Sequence, residues 1–340
     1  MTKTEPVLKV GDIRPDDAMA DQQAALDADI AWLAGRSDRF VTVACPACGG
    51  TDSTALYEKF AMTHWLCAGC ATQFVSPRPD LQTLAKFYAQ SRNYAYWAEH
   101  VFPASKQARR ERIFRPRAAI AADIVRACGP IDPVLLEVGA AYGLFCDEAR
   151  QTGAFGRIIA IEPTPALAQI CRELGLEVIE AGYEEARPDA RPDMIAAFEV
   201  IEHLFDPGAF LHWCHELLNP AGHILLTCPN IAGFETTLLG KASGAVDHEH
   251  INLFTPESLG ALAERCGFAE VEVTTPGELD VEIVRRALDD GSVKRTALDP
   301  VLLRLIEDGD DAALQSAIRS AKLSSNMRLI ARKPAATGSI

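Results

Sequence analysis

Four cysteines are spaced to hold a metal ion. Cys45-Pro-Ala-Cys48 and Cys67-Ala-Gly-Cys70 are two Cys-x-x-Cys pairs separated by 18 residues. Each pair can set two thiolates on one side of a tight turn, and two pairs complete the tetrahedral four-thiolate set of structural zinc. Gly49, Gly50 and Gly69 permit the sharp backbone this needs. Four cysteine ligands leave no open coordination position, so a catalytic metal is disfavoured. A redox dithiol would need one pair and leaves the other unexplained. The remaining cysteines (128, 146, 171, 214, 228 and 266) lie in apolar or helical stretches and read as small buried hydrophobes.

A second constellation surrounds Val134-Leu-Leu-Glu-Val-Gly-Ala-Ala-Tyr-Gly-Leu-Phe145. An apolar run, a carboxylate (Glu137) and then Gly139 and Gly143 describe a buried strand that breaks sharply into a helix. Such a break aims backbone N–H groups and a positive helix end at a crevice, where nucleotide-like ligands bind. Ile158-Ile-Ala-Ile-Glu162 is another apolar strand ending in an acid. The Gly-x-x-x-Gly spacing departs from the Gly-x-G-x-x-Gly dinucleotide fingerprint. Three histidines carry the candidate acid–base chemistry. His203 follows Glu202 after a fourth apolar strand, and His248 and His250 stand in Asp247-His-Glu-His-Ile-Asn. Each could instead anchor its loop by hydrogen bonds, and Asp247-x-Glu-His could alternatively bind a metal such as Mg2+.

The elements needed to position these groups follow the α/β pattern. Strands alternate with helices from Val134 to Phe268, later strands are expected at 271–274 and 326–331, and a helical insertion at about 283–322 separates them. The chain divides into an N-terminal helical segment (1–40), the cysteine module (41–80), a helical lid or linker (81–127) and an α/β domain (128–335). One amphipathic helix is expected from Met19 to Leu33. Pro77-Arg-Pro79 closes the cysteine module, since two prolines continue neither regular structure.

Several motifs in order resemble those of class I S-adenosylmethionine-dependent methyltransferases, over about residues 120 to 275 plus a final strand. Glu137-Val-Gly-Ala-Ala-Tyr-Gly143 stands where the family shows an acid and Gly-x-Gly-x-Gly, with Ala141 replacing the middle glycine. Phe198-Glu-Val-Ile-Glu-His-Leu-Phe-Asp-Pro207 and Leu217-Leu-Asn-Pro-Ala-Gly-His-Ile-Leu-Leu-Thr-Cys-Pro-Asn230 resemble segments of quinone-biosynthesis methyltransferases. The cysteine module resembles a zinc ribbon. The resemblance implies a doubly wound, Rossmann-like sheet of seven strands, the last antiparallel, with a small N-terminal zinc ribbon. It implies S-adenosylmethionine as cofactor, contacted by Glu137, Gly139, Ala141, Gly143, Glu162, Tyr183 and Glu199, alongside a structural Zn2+ on Cys45, Cys48, Cys67 and Cys70. His250 or His248, with His203, would be base or substrate ligand. In-line transfer to a small-molecule or saccharide acceptor is the leading expectation, with oxygen ahead of nitrogen or carbon. The rivals are an RNA or protein methyltransferase that uses the ribbon for recognition, and a non-catalytic cofactor-binding module.

Bulk properties narrow the partners. The formal net charge of −14 argues against a general nucleic-acid binder. No apolar run approaches the ~20 residues of a bilayer span, and the first residues are not signal-like, so a cytoplasmic protein is expected. Tyr94-Ala-Tyr-Trp97, Lys106 and Arg109, Arg110, Arg112, Arg115 and Arg117 form a basic, aromatic stretch. It reads either as a lid whose arginines meet an anionic acceptor or as a solvated helix whose aromatics pack on the core and whose arginines pair with the protein's many acids, with the latter ahead.

Overall fold

A computed structural model describes residues 8–19 and 21–335. Residues 1–7 and Ala20 of the N-terminal segment lie outside the described residues. Thirteen strands occur among them. The N-terminal half supplies β1 (Phe40–Val41), β2 (Ser53–Lys59), β3 (Met62–Cys67), β4 (Gln73–Val75) and β5 (Arg78–Pro79). The α/β part supplies β6 (Val134–Val138), β7 (Arg157–Ile161), β8 (Glu177–Ile179), β9 (Met194–Phe198) and β10 (His223–Pro229). It ends with β11 (Asn252–Leu253), β12 (Ala269–Thr274) and β13 (Asn326–Arg332).

The central sheet runs β12-β13-β10-β9-β6-β7-β8. Strands β8, β7, β6, β9 and β10 are mutually parallel, and β13 lies antiparallel between β10 and β12. The near-continuous apolar runs explain this placement, because a parallel sheet is buried on both faces. Leu135 and Leu136 of β6, and every residue of β9, are buried. Fully burying each aliphatic side chain contributes roughly 1.5–3 kcal/mol. Chain order reverses between β6 and β9, so the carboxyl ends of these strands open the crevice of a doubly wound sheet.

The N-terminal helices differ in detail from expectation. The helix starts at Gln22 and ends at Ala34, with Asp16–Met19 a separate turn. Its buried Asp29 is held by Ser91 Oγ and the backbone N–H groups of Arg92 and Asn93, so it caps the next helical segment. Residues 92–128 form one helical rod, widened by π-turns at Trp97–Val101 and Arg110–Phe114. The insertion comprises helices Asp280–Asp289, Pro300–Asp308 and Asp311–Ser320, which pack around Val284, Leu288 and Ile306.

The cysteine module is joined to the α/β domain. Its sheet runs β11-β4-β3-β2, so β11, a strand from the far end of the sequence, completes it. Arg78 and Pro79 also form a strand with Phe40 and Val41 instead of simply ending the unit.

Candidate active site

The turn after β6 is shaped by steric limits at its glycines. Gly139 has φ +74°, and a Cβ there would sit 2.8 Å from Val200 Cγ2. Gly143 has φ +66°, and a Cβ would meet Leu176 Cδ1 at 2.7 Å. A side chain at either position would strain the backbone and push its neighbour aside. Ala141 adopts φ +47°, a left-handed conformation tolerated at a cost of about 1–2 kcal/mol. Its N–H donates to Glu162 Oε2 at 2.8 Å, while Thr164 N–H donates to Glu162 Oε1 at 2.8 Å. Each carboxylate oxygen keeps a further lone pair, so Glu162 is fixed in place and still able to accept two hydroxyls. Burial raises its pKa.

Glu137 sits beneath the turn, 2 % exposed, and accepts from Cys146 Sγ at 3.0 Å. Burial pushes its carboxyl up to about 8 against the opposing pull of Cys146 and the Arg117 charge. Glu199, with φ +55°, accepts from Thr227 Oγ1 at 2.6 Å and faces Arg117 at 3.4 Å. The Arg117 guanidinium lies over the Phe198 ring, 4.5 Å from its centroid. Tyr183 is buried, its ring edge-on to Phe210 and Trp213. Tyr142 stacks on Phe102 of the helical rod at 3.9 Å, so the rod covers the turn.

The other arginines of the basic stretch are engaged within the protein. Arg110 pairs with Asp147 and Glu148 at 2.6 Å each, and Arg115 with Glu148 at 2.9 Å. Arg109 donates to Ile13 O and stacks on Phe102. Arg110 and Arg115 thus pair with acids, as the favoured reading of this stretch expected, but Arg109 and Arg117 are packed into the protein instead of lying on a solvated face.

Beside the β9 end, the three histidines converge. The rings of His203 and His250 are 4.6 Å apart, and His203 Nδ1 is 3.8 Å from Glu249 Oε2. His248 Nε2 lies 3.2 Å from Glu249 Oε1, with its ring edge-on to both Phe60 and Phe87. His250 Nδ1 contacts Ala245 O at 2.8 Å. Tyr88 adds its ring edge-on to His203, and Tyr94 packs against Tyr88. Burial pulls the His203 pKa down to about 3, with the His250 charge adding to it, so this imidazole is neutral at physiological pH. Burial opposes the His248 cation too, but Glu249 and Asp247 outweigh it and raise its pKa.

Glu202 is fully buried, and neither carboxylate oxygen has a hydrogen-bond partner. The Tyr88 hydroxyl and His203 Nδ1 are also buried without one. Burial and the Glu199 charge push the Glu202 pKa far above the ordinary carboxyl range. Polar atoms buried without partners cost about 1–3 kcal/mol each, so this cluster is a candidate place for a ligand or ordered water. Ligand atoms of Glu202, His203 and His250 lie within 4.8 Å of one another. These three converge, rather than the Asp247-x-Glu-His group that the sequence suggested as a metal site.

The four cysteines meet as their spacing predicts. Cys45 Sγ is 3.5 Å from Cys70 Sγ, Cys48 Sγ is 3.4 Å from Cys67 Sγ, and all four sulfurs lie within 4.8 Å of one another. A tetrahedron with Zn–S bonds of about 2.3 Å has edges of about 3.8 Å, so the sulfurs fit such an ion with small adjustment.

Residues that sequence reasoning missed are Arg78, Asn252 and Tyr88. Arg78 is an isolated charge between two prolines and Tyr88 belongs to no motif, while Asn252 closes the Asp247-His-Glu-His-Ile-Asn segment but drew no reading beside its histidines. Arg117 and Tyr94 were visible only as members of the basic, aromatic stretch.

A parallel sheet with one reversed strand, a glycine turn and an acid at the next strand end defines a nucleotide-type α/β site. Residues 105–273 match the family described as "Methyltransferase domain". The ubiquinone biosynthesis O-methyltransferase of Bradyrhizobium sp. (strain ORS 278) is 31% identical over 140 residues, covering 37% of this chain and 54% of that protein. The protein of the same name from Rhodopseudomonas palustris (strain BisB5) is 29% identical over 224 residues, covering 58% of this chain and 84% of it. The chain thus spans about half the length of the first of these relatives. A solved SAM-dependent methyltransferase from Thermotoga maritima is 16% identical, with a TM-score of 0.42 over 69% of this chain and 98% of that one. Residues 105–273 thus form a methyltransferase domain, on a seven-stranded sheet ordered as in the class I S-adenosylmethionine-dependent fold.

Among the described residues no helix is long and apolar enough to cross a membrane.

Proposed function

We propose that this protein transfers the methyl group of S-adenosylmethionine to a hydroxyl oxygen of a small-molecule acceptor. The observation that carries the reading is the buried cluster of Glu202, His203, His248 and His250, with its unpartnered polar atoms, at the same end of the sheet as the glycine turn and Glu162. The backbone of 139–143 and Glu162 would hold the ribose and amino-acid portions, with Glu137, Glu199 and Arg117 toward the methionine end. Tyr183 would back the adenine end from its packed position. The acceptor oxygen attacks the methyl carbon in line, the carbon–sulfur bond breaks, and S-adenosylhomocysteine leaves. The hydroxyl proton passes to His250 or His248, with Asp247 3.6 Å from His250 Nε2, while Glu202 and His203 line the acceptor. This supplies general-base assistance beyond alignment and water exclusion.

The acceptor side is lined by carboxylates and imidazoles, while Arg109 and Arg110 are committed elsewhere. That favours a neutral, hydroxyl-bearing acceptor, a phenol or a saccharide, over an anionic one. The relatives' naming as O-methyltransferases supports oxygen as the acceptor atom. Cys45, Cys48, Cys67 and Cys70 would hold one structural Zn2+. A second reading, favoured by the two unpartnered Glu202 oxygens, has Glu202, His203 and His250 bind a divalent cation that orients the acceptor.

The test is label transfer from methyl-labelled cofactor to panels of phenols and neutral sugars, with and without Mg2+. Labelled methyl ether product is expected, and Mg2+ dependence would select the second reading. A folded, cofactor-binding protein that labelled RNA in a salt-sensitive manner but no small molecule would overturn the reading in favour of the nucleic-acid rival.

A further inference from the structure

The cysteine module touches the acceptor side of the site at three places. At the β2–β3 hairpin, Lys59 donates to Val246 O, and Phe60 sets its ring against His248 at 6.1 Å. The hairpin turn is two residues long, with Phe60 and Ala61 both at positive φ, +54° and +59°. Side chains with a Cβ are costly there, and such turns usually carry Asn-Gly. The strained turn puts a large ring where glycine would leave a gap. Next, β4 pairs with β11, directly after the His248–His250 loop, and Val75 N–H donates to Ile251 O.

The third connection is Arg78, which is fully buried. Its guanidinium makes four hydrogen bonds: to Val75 O at 3.0 Å, Phe205 O at 3.1 Å, Ile251 O at 3.2 Å and Asn252 Oδ1 at 2.9 Å. Asn252 Nδ2 in turn donates to the carbonyls of Ile201, Glu202 and Leu204. One buried Arg–Asn pair therefore ties the cysteine module to both segments that carry the histidines. All four acceptors of Arg78 are neutral. Burying a cation without an anionic partner costs several kcal/mol. Four thiolates around a zinc ion would carry a net charge of −2, and Cys45, once a thiolate, and Asp206 are the negative groups that favour the Arg78 cation against its burial.

Resting on the zinc and methyltransferase readings above, we propose that Arg78 is a positioning residue which couples metal occupancy of the Cys45/Cys48/Cys67/Cys70 site to the order of the acceptor half-site. With Asp206, the metal–thiolate cluster supplies the counter-charge for Arg78. Arg78 and Asn252 then hold the loops bearing His203, His248 and His250, while Phe60 closes over His248. The glycine turn and Glu162 receive none of these contacts, so cofactor binding is independent of the metal.

The test uses the full chain, its metal content measured first, and follows amide hydrogen exchange before and after stripping by a chelator. Exchange across 246–254 should accelerate at least about tenfold on stripping, while 134–164 stays unchanged and S-adenosylhomocysteine affinity shifts less than about twofold. Arg78→Gln should lose zinc at about tenfold lower chelator concentration and raise the acceptor KM. Arg78→Lys, which keeps the charge but not the fork, should recover zinc retention and not the KM. Should either Arg78 variant fail to fold, Asn252→Ala and Phe60→Ala test the same link, with raised acceptor KM and unchanged zinc retention. Absence of metal in a folded chain would overturn the zinc reading and this coupling together. Bound metal whose removal leaves 246–254 unchanged would overturn the coupling alone, and absent cofactor binding would overturn the methyltransferase reading instead.

Discussion

The two halves of the site are built in different ways. The cofactor half comes from consecutive strand–turn–helix units, and its key groups are backbone: the left-handed glycines 139 and 143, and the Ala141 and Thr164 N–H groups that fix Glu162. The acceptor half is assembled from the β2–β3 hairpin, the helices at 81–96, the segment after β9 and the loop before β11. Its key groups are side chains, several buried without partners. A site made of local backbone is fixed as soon as its unit folds. A site made of distant side chains depends on every contact that brings those segments together, and the cysteine module, more than a hundred residues away in sequence, supplies several of them.

The sharpest separation of the halves should come from His250→Ala and His248→Ala. Loss of the base is expected to lower kcat by about 10²- to 10⁴-fold while leaving S-adenosylhomocysteine affinity, read by calorimetry, unchanged. If both retain wild-type turnover, the acceptor half has been placed wrongly. In the other direction, Gly139→Ala should weaken cofactor binding by about tenfold or more, since the new methyl must move Val200 from 2.8 Å in a strained backbone. Its zinc content, read by metal analysis, should stay at the wild-type level. A Gly139→Ala protein with full affinity would show that the turn does not approach the ligand.

Those contrasts follow what was legible in the sequence. Glu137-Val-Gly-Ala-Ala-Tyr-Gly143 and Ile158–Glu162 announced their strands and turn because steric demands at a glycine and burial of a parallel strand act locally. The cysteine pairs were legible for the same reason, each pair acting within one tight turn. Nothing local marks the roles of Arg78, between its two prolines, or of Asn252, at the end of the histidine segment, because those roles arise only when β4 meets β11. The histidines were visible as types, but their grouping with Glu202 was not, because the unpartnered carboxylate becomes evident only once water is excluded around it. The basic stretch shows the limit from the other side. Its spacing allowed either a lid for anions or a packed face, and only Asp147 and Glu148, more than thirty residues on, decide for Arg110.

The smallest expected effect concerns pH and again divides the halves. Burial raises Glu137 from 4.5 to about 8, so the folded protein holds a proton that the unfolded chain releases between those values. The stability this provides is fully present below about pH 4.5 and is lost as pH rises toward 8. Glu137→Gln cannot release that proton, so the fall in Tm between pH 6 and pH 8 should be smaller than in wild type by a few degrees. Equal slopes in thermal melts would mean that Glu137 is ionised throughout.

The central claim is that the glycine turn and Glu162 bind S-adenosylmethionine, and calorimetric titration tests it most directly. S-adenosylmethionine and, separately, NADPH would be titrated into wild-type protein and Glu162→Gln. The account predicts saturable binding of one S-adenosylmethionine per chain, no binding of NADPH, and affinity at least about tenfold weaker in the variant, which loses a charged acceptor for the ribose hydroxyls. Failure of the folded wild-type protein to bind S-adenosylmethionine, or equal affinity in Glu162→Gln, would contradict it.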